Sequence, residues 1–374
     1  MNYLNDNRIV LTLDAGGTNF VFSAIQRGKE IAQPIKRQIK SLNLEQILLS
    51  IIEGFQELQK LCNSKAEAIS FCFPGPADYA KGIIGDLQNI PVFRGGVALK
   101  AMLEHHFKIP VFINNDGDLF AYGEAIAGFL PEVNNLLEQN ENSKIYQNLL
   151  GITLGSGYGA GIVSNHQIFT GDNSAGAEIN RFRNKLHPET SAEDSLSIKA
   201  IKRIYAEIAK LKPDETPEPK QIYQIANGEI TGNKKAAIKA FDELAIVTGD
   251  TLANASSLID GLIVIGGGLS GAHTLFLQKV VDEMNTAFKT LSGDKLPRME
   301  VVAYNLESTE GRKNFVVNTT QKIKIPFTDN FQEYDPIKKI GVGISKLGTS
   351  KAISIGAYAY ALNQLNRQNE FIRN

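Results

Sequence analysis

Leu13-Asp14-Ala15-Gly16-Gly17-Thr18-Asn19 closes an apolar run that begins at Ile9 and opens a second one that reaches Gln26. The reading is strand, glycine turn, strand. The pattern returns in Thr153-Leu154-Gly155-Ser156-Gly157-Tyr158-Gly159, between the apolar runs Leu149 to Leu154 and Ala160 to Val163. A glycine turn lets backbone N–H groups approach an anion that any Cβ would hold at a distance. Two such turns in one chain therefore point to a ligand with several phosphates.

Working outward from the first turn, Ala68 to Phe73 and Val111 to Asn114 read as short buried strands. Between the turn and these strands, Leu44, Ile47, Leu48, Ile51, Ile52, Phe55 and Leu58 fall on one helical face. After Ile145 the pattern restarts, and it later gives a buried strand from Gly261 to Ile265. Two related α/β halves with a cleft between them are expected, with ligands at the carboxyl ends of the strands, where both turns lie. Three polar segments read as insertions: Pro131 to Asn148, the proline-punctuated Lys212 to Lys220, and Tyr304 to Ile340, whose alternating Asn314 to Ile325 run suggests an added β excursion. Ser350 to Leu365, with Gly356, Ala357 and Ala359, reads as a small-residue helix able to pack closely.

The bulk properties exclude several function classes. The chain has 374 residues, 43% apolar and 21% charged, with a net charge of −1. That balance gives no electrostatic footprint for nucleic acid or for an anionic membrane. No apolar run is long enough to span a bilayer and the first residues have no signal-peptide core, so a cytoplasmic protein is expected. Cys62 and Cys72 cannot build a disulfide framework and read as buried free thiols.

Asp116 follows the Val111 to Asn114 strand and precedes a helical stretch from Leu119 to Gly128. A carboxylate beside a positive helix terminus tends to stay ionised and suits a general base. From local sequence, Asp116 and Asp118 read equally well as helix caps. Asp14 ends the first strand, where a carboxylate can hold Mg²⁺ through water, or serve only the turn. Gly266-Gly267-Gly268 reads either as a flat bed for an aromatic ring or as a tight strand-to-helix turn.

Taken together, Asp14-Ala15-Gly16-Gly17-Thr18-Asn19, Pro74-Gly75-Pro76-Ala77-Asp78, Asn115-Asp116-Gly117-Asp118, Gly155-Ser156-Gly157, Ala175-Gly176-Ala177-Glu178-Ile179 and Ile265-Gly266-Gly267-Gly268-Leu269-Ser270 resemble, in order and rough spacing, the ROK family of repressors, open reading frames and sugar kinases. The resemblance runs from about Ile9 to Gly356. It implies the actin-like ATPase fold, a duplicated ribonuclease-H-like α/β architecture of two domains, here 1–128 and 129–349, with a helix at 350–366 returning to the first and a β insertion at about 305–340. It also implies ATP with Mg²⁺. Asp14, Gly16, Gly17, Thr18, Asn19, Gly155, Ser156, Gly157, Gly266, Gly267 and Gly268 would bind the nucleotide and its metal, and Asp116 would be the base. Asn89, Asn115, Asp116, Glu178, Arg181 and Glu193 would meet the sugar.

The sugar site departs from the family pattern. Relatives carry Gly-His after the apolar residue that follows the glutamate, and a cysteine cluster further on; here Arg181 stands where the histidine belongs, and Ser191-Ala192-Glu193-Asp194-Ser195-Leu196-Ser197 contains no cysteine. Zinc is therefore not expected, for want of nitrogen and sulfur ligands. His187 reads as a solvated loop residue. Arg181, a permanent charge with a forked donor set, would either read an acidic or already phosphorylated sugar or brace Glu178 or Glu193 in place of the missing loop, and bracing is the expected role. The expected function is transfer of the γ-phosphate of ATP to a hydroxyl, the primary one, of a hexose or N-acylhexosamine, by a homodimer that binds neither nucleic acid nor membrane. The alternative is a non-catalytic sugar-binding regulator or scaffold, but only eight residues precede Ile9, too few for a DNA-binding helix-turn-helix.

Overall fold

The structure, a computed structural model, describes residues 3–15, 19–39, 42–75, 77–85 and 91–373. Gly16, Gly17, Thr18 and Asn89 lie outside the described residues. The chain divides into two compact units: 1–127 with 167–176 and 347–374, and 128–166 with 177–346. Among the described residues no helix is long and apolar enough to cross a membrane.

In the first unit, β1 (Val10–Ala15) pairs antiparallel with β2 (Asn19–Gln26). On its other side β1 pairs parallel with β3 (Ala68–Cys72), which pairs parallel with β4 (Val111–Asn114). The helix α1 (Leu44–Leu61) starts where Asn43 and Gln46 exchange side-chain and backbone bonds in a capping box. Its 3.6-residue stripe of Ile47, Ile51, Phe55 and Leu58 is buried in the unit's core. That core is rich in phenylalanine: the Phe22 and Phe55 rings meet edge to face at 5.1 Å, and Phe73 lies 5.2 Å from Phe93. The helix α2 (Asp116–Ala127) follows β4 almost at once.

The second unit repeats this order. It opens with a helix, α3 (Phe129–Gln139), where the sequence reading placed an insertion. Pro131 falls in its first turn, where no N–H is needed, and Phe129, Leu130, Val133 and Leu137 form the buried face. Then β5 (Leu149–Leu154) and β6 (Tyr158–Ser164) form an antiparallel pair, and β5 pairs parallel with β7 (Leu262–Gly266). Two further parallel strands extend the sheet beyond β7, Lys339–Ile344 and then Val302–Asn305. The long α4 (Lys234–Ile259) packs into the aliphatic core beneath this sheet.

The expected β excursion is in part a helix. Ser308 caps α5 (Thr309–Val316) by accepting the Gly311 N–H at 3.0 Å, and Phe315 is buried on it. Only Gln321–Lys324 and Phe331–Tyr334 form a two-stranded ribbon.

The last helix, α6 (Thr349–Arg373), lies against α2 in the first unit with backbone nearly touching backbone. A Cβ on Gly123 would fall 1.9 Å from the Ala352 carbonyl oxygen, and one on Gly356 would fall 2.0 Å from that of Leu119. Two glycines, one on each helix, thus set the seat of the element that begins with Asp116.

Candidate active site

Strand register brings the first cluster together. Asp14 stands opposite Cys72, and Cys72 opposite Asn114, so the carboxyl ends of β1, β3 and β4 form one row. Two residues beyond that row the chain turns into α2. Asn115 makes the turn: its Oδ1 accepts the Gly117 N–H at 2.7 Å, which satisfies one of the helix's orphan donors. Asp116 is the first helical residue and keeps an exposed side chain, with Oδ1 2.9 Å from the same N–H.

The electrostatics differ from the sequence expectation. A helix terminus favours the carboxylate, but the protein packed around Asp116 removes more hydration than the Gly117 N–H returns, and the charge on Asp14 adds repulsion. The Asp116 carboxyl is therefore raised above the ordinary range, and burial raises Asp14 likewise. Neither forms an ion pair with a described residue, so the row holds two carboxylates without a neutralising cation. Cys72, 6% exposed between them, is driven far up by burial and by both charges, and stays a thiol. Asp118, two residues into the same helix, is buried, at 6% exposure.

In the second unit the glycine turn connects β5 to β6. The Gly155 N–H donates to the Gly157 carbonyl at 3.0 Å, and the Tyr158 N–H to Glu193 Oε2 at 2.9 Å. That leaves the N–H groups of Ser156 and Gly157, and the exposed Ser156 hydroxyl, without partners among the described residues. Two adjacent free amides and a hydroxyl form an anion seat with room for a phosphate oxygen, since a Cβ on Gly155 would meet nothing nearer than 4.0 Å. At Gly157 a Cβ would lie 2.9 Å from Glu193 Oε2. Glu193, expected to touch the sugar, thus braces the turn itself.

The Gly266 to Gly268 run divides by position. Gly267 has φ +88°, and a Cβ there would sit 2.3 Å from the Leu154 carbonyl oxygen, so the strand-to-helix turn itself requires this glycine. At Gly268 a Cβ would approach only Ile198, at 3.9 Å, which leaves its face open to a ring.

Glu178 is exposed at the head of the short turn Ile179–Arg181. Its direction is set by Ala177, held at φ +63°, a conformation that costs a residue with a Cβ about 1–2 kcal/mol. Asn180 Oδ1 is buried without a hydrogen-bond partner and is suited to accept a ligand hydroxyl. Sequence reasoning gave it no role. Arg181 is exposed and has no side-chain partner among the described residues, so it braces neither Glu178 nor Glu193.

His187 is an exposed loop residue, as expected, but it is also tied down. Its Nε2 lies 3.1 Å from Glu243 Oε1, which also accepts the Ser195 hydroxyl at 2.8 Å, and Ser195 accepts from Asn184 Nδ2 at 2.8 Å. Asn184 and Ser195 are fully buried. Hydrogen bonds to α4 fasten this short loop. Among the described residues no cluster of three metal-ligating side chains occurs.

Comparison with known proteins gives concordant results. The model of the ROK family matches residues 10–311. A crystal structure of a glucokinase from Parabacteroides distasonis superposes with a TM-score of 0.89 at 50% identity, covering 97% of this chain and 99% of that one. A glucokinase from Halalkalibacterium halodurans is 30% identical over 302 residues, 73% of this chain and 84% of the relative. At the level of fold, a ROK glucokinase from Streptomyces griseus, solved with glucose and AMPPNP, has a TM-score of 0.58 at 18% identity, covering 93% and 98%.

Proposed function

The chain belongs to the ROK family and is an ATP-dependent sugar kinase, and on that premise we propose that Asp116 takes the proton from the primary hydroxyl of a hexose or N-acylhexosamine as that oxygen attacks the γ-phosphorus. The oxygen–phosphorus bond forms, the β,γ-bridge breaks, ADP leaves with the bridging oxygen, and the proton stays on the Asp116 carboxyl. Phosphoryl transfer asks a protein mainly for alignment, charge neutralisation and a proton acceptor.

Asp14 fits the second need. It is an accessible carboxylate at a strand end whose pKa is raised by the partial desolvation of its surroundings, and a hydrated Mg²⁺ there would be held through water. When bound, the metal neutralises charge on the phosphates. The Ser156 and Gly157 amides supply fixed dipoles for phosphate oxygens. Gly268 leaves its face open for the adenine. Glu178, Asn180 and Arg181 are available to sugar hydroxyls, and the family resemblance extends the reading to a cytoplasmic homodimer.

The observation that carries this reading is Asp116 itself: an accessible carboxylate at a helix start, in no ion pair among the described residues, with a pKa raised by the desolvation of its surroundings and by Asp14. The sign of its pH dependence follows directly. Only the ionised form accepts a proton, so activity falls as pH drops through the Asp116 pKa. Because that pKa is raised, the acid limb of kcat/KM should lie above the ordinary aspartate value of about 3.9. A pH–rate profile checks this, and a profile flat down to about pH 4 would remove Asp116 from the role.

A further inference from the structure

Tyr79, just after the short strand Ala77–Asp78, is 7% exposed and spends its hydroxyl twice. It donates to the Phe73 carbonyl at 2.9 Å and accepts from Asn115 Nδ2 at 3.4 Å. Asn115 uses its other amide atom on the Gly117 N–H, at 2.7 Å, and that N–H is the one shared with Asp116 Oδ1. Phe73 is tied back to β4 by its own N–H, which donates to the Asn114 carbonyl at 3.0 Å. A relay therefore runs from the end of β3 through Tyr79 and Asn115 into the first turn of α2. With both ends of its amide engaged, Asn115 cannot rotate without breaking one of these bonds. Burial holds the Tyr79 phenol well above its ordinary range, so it remains a donor to Phe73 at any working pH.

We propose that Tyr79 is a positioning residue for the phosphoryl transfer, fixing the Asn115 amide and through it the share of the Gly117 N–H that reaches the Asp116 carboxylate. The proposal rests on the reading of Asp116 as the base. The titratable groups around Asp116 are Asp14 on β1, the Cys72 thiol on β3, the Tyr79 phenol and Asp118 on the same helix.

Tyr79→Phe tests it, because the ring stays and only the hydroxyl goes. Without the Tyr79 hydroxyl the Asn115 amide is held at Gly117 alone and is free to turn on that bond, so that more of the Gly117 N–H reaches Asp116 and favours the ionised form. The acid limb of kcat/KM should move to lower pH. Misaligned attack should lower kcat on the order of tenfold or more, with KM for ATP nearly unchanged. A merely structural role would lower Tm and leave the limb in place. Asn115→Ala removes the same acceptor from Gly117 and should shift the limb in the same direction. Adding Tyr79→Phe to it should shift the limb no further. An unmoved limb in Asn115→Ala overturns the proposal whether or not Tyr79→Phe folds. So does an unchanged kcat and limb in a folded Tyr79→Phe. Failure of the underlying reading is separate, since it would show as retained turnover in Asp116→Asn.

Discussion

Asp116→Asn should fold, melt no lower than the parent protein, and lose kcat by about 10²–10⁴-fold, the range that general-base catalysis supplies. The amide has the shape of the carboxylate and can still accept the Gly117 N–H, so the start of α2 is preserved. It cannot take a proton from the attacking hydroxyl. The stability half of the expectation follows from the raised pKa. A carboxyl whose folded-state pKa exceeds its unfolded value costs folding free energy whenever it is ionised, and at neutral pH that cost is in force. A neutral amide removes it. Activity and stability should therefore move in opposite directions, as expected where a strained charge serves function. Steady-state kinetics and a melting curve on the same preparation read both halves. Turnover within a factor of a few of the parent would exclude Asp116 as the base.

Gly356→Ala should be among the most damaging single-methyl changes in the first unit. By intrinsic propensity alanine is the better helix residue by about 0.8–1 kcal/mol, so an uncrowded site would gain stability. Here the methyl would lie 2.0 Å from the Leu119 carbonyl oxygen and 3.1 Å from the Gly123 nitrogen. Backbone atoms cannot rotate aside as the tip of a side chain can, so α2 and α6 must separate. Overpacking of this kind costs about 1–3 kcal/mol and more where the neighbour is rigid, which outweighs the propensity gain. The expected result is a Tm lower by several degrees, with reduced kcat in the folded fraction because α2 carries Asp116. An unchanged or higher Tm would show that the helices do not meet as closely as the structure has them.

Local chemistry made much of this legible in advance. The strands flanking both glycine turns, the apolar stripe of α1 and the strand leading to Asp116 announce themselves through period and turn residues that depend only on near neighbours. The corrections came from contacts distant in sequence. Glu243, from the middle of α4, holds the exposed His187 ring at one nitrogen, and no spacing within the 178–197 stretch points to it. Glu193, expected at the sugar, also accepts the N–H of Tyr158, 35 residues earlier, a contact no local pattern announces. Tyr79 lies 36 positions before Asn115, with the relay visible only once β3 and β4 lie side by side. Two misreadings were local and avoidable. Pro131 suits the first turn of a helix as well as it suits a loop, and Ser308 with Thr309 and Glu310 marks the helix start that the alternating run after Asn314 concealed.

The central claim is that this chain phosphorylates a sugar at its primary hydroxyl with ATP. The direct measurement incubates the purified protein with ATP, Mg²⁺ and each of a panel of neutral, acetamido and acidic sugars, and identifies products by phosphorus NMR. The account predicts equal amounts of ADP and a single sugar phosphate esterified at the primary carbon, with a hexose or N-acylhexosamine used best. Preference for an acidic sugar would place the unpaired Arg181 on the substrate's charge. ADP formed without sugar phosphate, or no turnover on any member of the panel, would contradict the account.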